Sequence, residues 1–269
     1  MPSTAAAFQK AGITALIYDP RGVGLSDGYP RNDINPPREV DDISDAITFL
    51  SNHASVNARH GIGLWGMSHG AAVAMVCAAL DPRARFVIAV CPSTEPNHKV
   101  ERFRKILAKA AKDRESRLKG NEPFYLPMLN KDGESPVGTE AGFEKETITR
   151  MFRAHDDNDT LRAALAPNHV NRTTIQTYRH MLLWDPRHMW EIIQQPTLFV
   201  VPEHDQLIGM SIQLKHYARL RCPKRLHVQD GAAHMDILEG PSQSTVNQLQ
   251  VDFIQDALAG RVTTADGGE

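Results

Sequence analysis

Three short stretches of this chain hold residues whose types and spacing suit nucleophilic chemistry. Gly66-Met67-Ser68-His69-Gly70 places a serine between small residues, with a strand-like run before it and the apolar run Ala71 to Leu80 after it. A Gly-x-Ser-x-Gly turn between a strand and a helix is so sharp that its neighbours need little or no side chain, and it lifts the hydroxyl to the top of a sheet. The second stretch, Glu203-His204-Asp205, follows the apolar run Pro196–Pro202, and the third, Gly231-Ala232-Ala233-His234, follows Arg225–Val228. A serine hydroxyl is a poor nucleophile until a base takes its proton, and a neutral imidazole suits that role near neutral pH. The imidazole in turn needs a carboxylate on its far nitrogen.

Singly, each residue has a plainer reading: Ser68 as a turn residue, His234 as a surface-loop residue, Asp205 as a helix cap. Jointly, Ser68, Asp205 and His234 form a candidate catalytic triad, each after its own strand. Asp205 is preferred to Glu203 because it sits further past the strand end. His69 is expected to contribute its backbone N–H to an oxyanion hole, with its imidazole incidental. Cys91 ends a strand near the expected pocket and reads as packing. Twelve histidines raise the question of a metal, but the chain has no His-Glu-x-x-His and no paired Cys/His spacing. Neither a metal nor a cofactor is expected.

The elements that must position these residues alternate. A helix over 4–10 stops at Ala11-Gly12, and Ile13 to Tyr18 reads as a buried strand. The Gly-rich loop Asp19 to Gly28 lacks a following Gly-Lys-Ser/Thr, so it reads as a structural turn held by Asp19 and Arg21 rather than a phosphate cradle. Asn35-Pro36-Pro37 starts a helix in which Val40, Ile43, Ile47 and Leu50 share a face. Gly61–Trp65 and Phe86–Cys91 are strands around a helix that is apolar nearly all round. Short connections and strand–helix alternation predict a parallel, doubly wound sheet.

From about 93 to 193 the pattern changes. Residues 98–119 form a basic amphipathic helix, which reads as a solvated face, with docking of a phosphate or a carrier protein as the sharper alternative. Helical segments follow at about 142–154, 158–165 and 171–183, and no strand is evident. The expected organisation is an α/β core in 1–92, an all-helical cap insert in 93–193, the rest of the core in 194–260, and a disordered tail in 261–269.

At 269 residues the chain suits one large α/β domain with an insert. A net charge of −2 gives no global pull toward nucleic acid or anionic lipid. No apolar run is long enough to span a membrane. Three cysteines without CxxC spacing suggest reduced thiols. The N-terminus lacks a secretory layout and Asp266-Gly267-Gly268-Glu269 is not a peroxisomal address. The expectation is a cytoplasmic protein, with no nucleic acid or membrane partner; the oligomeric state stays open.

These residues resemble the α/β-hydrolase superfamily over nearly the whole chain. The matching motifs are Tyr18-Asp19-Pro20-Arg21-Gly22-Val23-Gly24-Leu25-Ser26-Asp27-Gly28, Gly66–Gly70, Pro196–Asp205 and Gly231–His234, with the order serine, acid, histidine. Leu64-Trp65-Gly66-Met67-Ser68, Cys91-Pro92 and Pro223-Lys224-Arg225-Leu226 look like the fungal dienelactone hydrolase-like branch that includes polyketide transferases and thiohydrolases. The resemblance implies an α/β-hydrolase fold with a helical cap, and attack by Ser68 on an ester or thioester, free, carrier-bound or CoA-bound. It further implies a place in fungal secondary metabolism. By the same resemblance Met1 falls where the family's first helix starts, so the fold is expected to be N-terminally shortened, without the strands and His-Gly loop that supply a second oxyanion donor. The alternative is therefore a catalytically weak or inactive hydrolase-like binding or accessory protein.

Overall fold

The structure, a computed structural model, describes residues 1–57, 59–93, 99–130, 132–138 and 171–264. In chain order its described elements are α1 (Pro2–Lys10), α2 (Pro36–Ser51), β1 (Ile62–Met67), α3 (His69–Leu80), β2 (Ala84–Val90), α4 (Val100–Leu118), β3 (Tyr125–Leu126) and β4 (Thr173–Thr174). They continue with α5 (Ile175–Leu183), α6 (Arg187–Trp190), β5 (Thr197–Pro202), α7 (Met210–Arg219), β6 (Lys224–Gln229), α8 (Asp236–Glu239) and α9 (Gln243–Leu258). The chain packs as two compact units: Met1–Ile17, Val40–Glu95 and Asp185–Glu269 form one, Tyr18–Glu39 and Pro96–Trp184 the other.

The first unit is built on a parallel sheet in the order β1-β2-β5-β6. The central strands are continuous apolar runs because both faces are covered. Phe86, Ile88 and Val90 of β2 and Leu198 and Val200 of β5 share a core with Phe8 of α1 and Val246, Phe253 and Ile254 of α9. The alternate residues Val87, Ala89, Phe199 and Val201 point to the opposite face and are equally buried, where α3 packs on β1 and β2 and α7 on β5. Burial of each large side chain stabilises by about 1.5–3 kcal/mol, which fixes the register. Met67 pairs with Val90, Val90 with Val200, and Pro202 with Gln229. The strands therefore deliver Ser68, Cys91, Asp205 and the His234 loop to one edge of the sheet.

One expected strand does not form. Residues 13–18 pair with no strand among the described residues, although their β-branched composition favours one. A strand exists only through a partner's hydrogen-bond ladder. Ile13 packs against the core shared by α1, β2, β5 and α9, while Leu16, Ile17 and Tyr18 stand in the open at 36%, 50% and 39% exposure.

In the second unit α4 and α5 pack through Phe103, Ile106 and Ala110 against Ile175 and Tyr178. The expectation of an all-helical stretch is corrected here by an antiparallel ladder pairing Tyr125 with Thr174 and Leu126 with Thr173. Two-residue strands carry too little periodicity to be read from sequence. The ladder is tied down by Asp113, which accepts from Phe124 N at 2.7 Å, and by the Thr174 cap of α5, which accepts from Thr177 N. The helices expected at 142–154 and 158–165 lie outside the described residues.

The Gly-rich loop is a structural turn. Asp19 Oδ2 accepts from Leu25 N at 2.9 Å, and Asp19 O accepts from Ser26 Oγ at 2.6 Å. Gly24, at φ +52, lies so close that a Cβ there would sit 2.1 Å from the Asp19 carboxylate. Arg31, which the sequence did not single out, donates to Gly24 O at 2.5 Å and to Ser26 O.

Candidate active site

Ser68 is the hinge between β1 and α3. Its backbone sits at φ 54, ψ −121, a region that costs a non-glycine residue about 1–3 kcal/mol. Surrounding bonds hold it there: Ser68 N donates to Val90 O at 2.9 Å, and Ser68 O accepts from Ser93 N at 3.0 Å, Ala71 N at 3.1 Å and Ala72 N at 3.2 Å. The two flanking glycines are not equivalent. A Cβ on Gly66 would meet Gly70 O at 2.3 Å, whereas one on Gly70 would meet nothing within 4 Å. Only Gly66 is demanded by the turn. His69 opens α3, where first-turn N–H groups point out of the helix's N-terminal end.

Asp205 and His234 meet across the β5 and β6 loops. His234 Nδ1 lies 2.9 Å from Asp205 Oδ2, with both residues buried. The carboxylate accepts three further bonds, from Leu207 N at 2.9 Å, Ile208 N at 2.9 Å and Gln213 Nε2 at 3.0 Å. A carboxylate can only accept, so Nδ1 carries the proton and Nε2 is the basic nitrogen. Glu203 does something else. It accepts from Gly231 N at 2.7 Å and so ties the His234 loop to the end of β5.

His234 Nε2 lies 3.9 Å from Cys91 Sγ. Cys91 is fully buried at φ 37, with its N–H donating to Val200 O at 2.8 Å. Burial pushes its thiol strongly up and the Asp205 charge adds to that, while the Ser68 backbone N–H acts in the opposite sense. Cys91 therefore sits beside the imidazole as a neutral thiol. The Ser68 hydroxyl has no hydrogen bond among the described residues. One candidate pair, Asp205 and His234, is thus assembled.

Donor atoms of Cys91, Asp205 and His234 come within 4.8 Å of one another. Two of the three groups are already bonded to each other and the third is a neutral thiol, so the cluster is a poor fit for an ion.

Gln213 is the site residue that sequence reasoning missed. It is fully buried, bonded to Asp205 Oδ2 and to Ile208 O at 2.6 Å. It shares the buried stripe of α7 with His216. That stripe is polar, so hydrophobic periodicity gave no sign of it.

Comparison with known proteins places the chain in a family. The family model described as Serine aminopeptidase, S33 (Hydrolase_4) matches residues 1–241. A protein named Thiohydrolase from Eupenicillium brefeldianum is 38% identical over 252 residues, covering 93% of this chain and 79% of that protein. Polyketide transferase claH from Penicillium crustosum is 36% identical over 259 residues, covering 93% of this chain and 81% of that one. The solved structure of DcsB in complex with its substrate analogue superposes with a TM-score of 0.85 at 32% identity, covering 95% of this chain and 85% of that chain. With an acid–histidine pair at the carboxyl ends of parallel strands and a strained serine at the β1–α3 turn, the chain belongs to the α/β-hydrolase family and is similar within it to fungal thiohydrolases and polyketide transferases.

Proposed function

We propose that this hydrolase moves an acyl group from a thioester or ester through Ser68, in fungal secondary metabolism of polyketide or toxin type. The observation that carries the reading is the buried Asp205–His234 pair, whose basic Nε2 faces the strand ends from which Ser68 emerges. In the proposed reaction Ser68 Oγ attacks the acyl carbon as His234 Nε2 takes its proton. Asp205, held by four hydrogen bonds, stabilises the resulting imidazolium. The backbone N–H of His69 bonds the developing oxyanion. The C–S or C–O bond then breaks, and His234 returns the proton to the departing thiolate or alkoxide. Water or an alcohol, activated by the same imidazole, releases the acyl group from Ser68.

Relatives named thiohydrolase and polyketide transferase support both the thioester and the choice of acceptor. The expected partner is a small acyl thioester or ester. Turnover of simple acyl thioesters by the wild-type and Ser68→Ala proteins tests the reading. The alanine protein should be inactive, and undiminished turnover would sink it.

A further inference from the structure

The Asp205 carboxylate is held from two sides. Oδ1 accepts from the backbone N–H groups of Leu207 and Ile208, both at 2.9 Å, within its own loop. Oδ2 lies 2.9 Å from His234 Nδ1 and accepts from Gln213 Nε2 of α7 at 3.0 Å. The oxygen that serves the imidazole is therefore shared with one amide. Rotation of an aspartate carboxylate about its last bond is soft, with no sharp staggered wells. Bonds to Oδ1 alone leave the plane of the group free to rock. A donor on each acceptor site of Oδ2 fixes that plane.

The same amide makes a second contact. Gln213 Nε2 also donates to Ile208 O at 2.6 Å, so one side chain clips the carboxylate to the backbone of the loop that carries it. Both partners can only accept, and the amide cannot be reversed. Its Oε1 is left buried with no hydrogen-bond partner among the described residues, in a side chain that is 0% exposed. An orphaned buried carbonyl is a cost that a leucine on this face of α7 would avoid. Local rules of this kind are broken mostly at functional sites.

We propose that Gln213 is a positioning residue of the reaction: it fixes the plane of the Asp205 carboxylate, and through the Asp205–His234 bond it holds the imidazole as the Nδ1–H tautomer with Nε2 free as the base. It acts through Asp205 and not on the substrate. The role rests on, and deepens, the reading that His234 serves Ser68.

Proton–nitrogen correlation spectra of the His234 imidazole, thermal melting and steady-state kinetics on a simple acyl thioester test it in three variants. Gln213→Met keeps the length of the side chain and removes both donors. Gln213→Asn keeps the amide one methylene short. Tyr217→Leu loosens α7 where its ring packs 5.6 Å from that of Phe199 in β5, and leaves the amide in place.

Wild-type His234 should be held as the Nδ1–H tautomer. In Gln213→Met the Nε2–H tautomer should appear, and kcat should fall ~10–100-fold with KM within ~threefold, as for one lost hydrogen bond to a charged group. Gln213→Asn should move both readouts the same way by less, and it carries the comparison if Gln213→Met does not fold. Tyr217→Leu should lower Tm, keep the wild-type tautomer and hold kcat within ~threefold. Mixed tautomers in the wild type, an unchanged tautomer or kcat in the folded Gln213 variants, or equal losses in Tyr217→Leu would overturn the role. A tautomer shift in Gln213→Met beside a wild type that turns over no thioester counts against acyl transfer by Ser68 and leaves the positioning role standing.

Discussion

At the scale of single residues, two carboxylates two positions apart have separate duties. Asp205 holds the imidazole of His234 at 2.9 Å, whereas Glu203 holds the loop at Gly231 N. Replacing Asp205 with Asn removes the acceptor that fixes the tautomer, so kcat should fall by about 10³–10⁴-fold. Glu203→Gln keeps an oxygen for Gly231 N, and its kcat should stay within about threefold of wild type, a change below ~1 kcal/mol. Steady-state kinetics on the two variants separates the roles, and the reverse order of effects would assign the acid to Glu203. Cys91 provides a second check at this scale. Its buried thiol is held up and neutral, so in a Ser68→Ala protein it gives no substitute nucleophile despite its place beside His234.

At the scale of elements, the turn between β1 and α3 depends on one glycine more than on the motif as a whole. Gly66→Ala drives a methyl into the Gly70 carbonyl at 2.3 Å, and overpacking against backbone should cost about 1–3 kcal/mol. Gly70→Ala meets open space inside a helix and should be neutral or stabilising by up to ~1 kcal/mol. Urea denaturation of the two variants measures the difference. Equal destabilisation would mean that the turn is held some other way.

The same turn shows what could be read from the chain. The placement of Ser68 and Asp205 at strand ends was legible because β1 and β5 are apolar runs, whereas β6 before His234 showed only the alternation of Leu226 and Val228 among polar residues. Ile13–Tyr18 carried the same pattern and still forms no strand, because pairing is a property of neighbours rather than of the segment. Gln213 was hidden for the opposite reason: it is a polar residue on a buried stripe, and its burial is repaid by the Asp205 carboxylate it supports. The β3–β4 ladder was too short to leave a period.

At the scale of the molecule, the first unit holds every residue of the proposed acyl-transfer site. Stability of the first unit is expected to have an acid-sensitive component. Asp81, buried at the end of α3, accepts from Arg83 Nε at 2.9 Å and Arg83 Nη2 at 2.6 Å and from Ser44 Oγ at 2.8 Å. The Arg83 hydrogen bonds lead in holding its carboxyl down to about 2, below the ordinary 3.8. A folded value below the unfolded one means that the full contribution is present above pH 3.8 and is lost as pH falls toward 2. Asp81→Asn should therefore cost about 1.5–3 kcal/mol at pH 7 and flatten the acid limb of a stability profile between those values. An unchanged acid limb in the variant would remove Asp81 as its cause.

The central claim is that Ser68 is the nucleophile served by His234. Labelling with a fluorophosphonate probe, followed by intact-mass and peptide mapping, tests it most directly. One adduct on the peptide carrying Ser68 is predicted for the wild type, absent from Ser68→Ala and strongly slowed in His234→Ala. Labelling that persists in Ser68→Ala, or an adduct on another residue in the wild type, would contradict it.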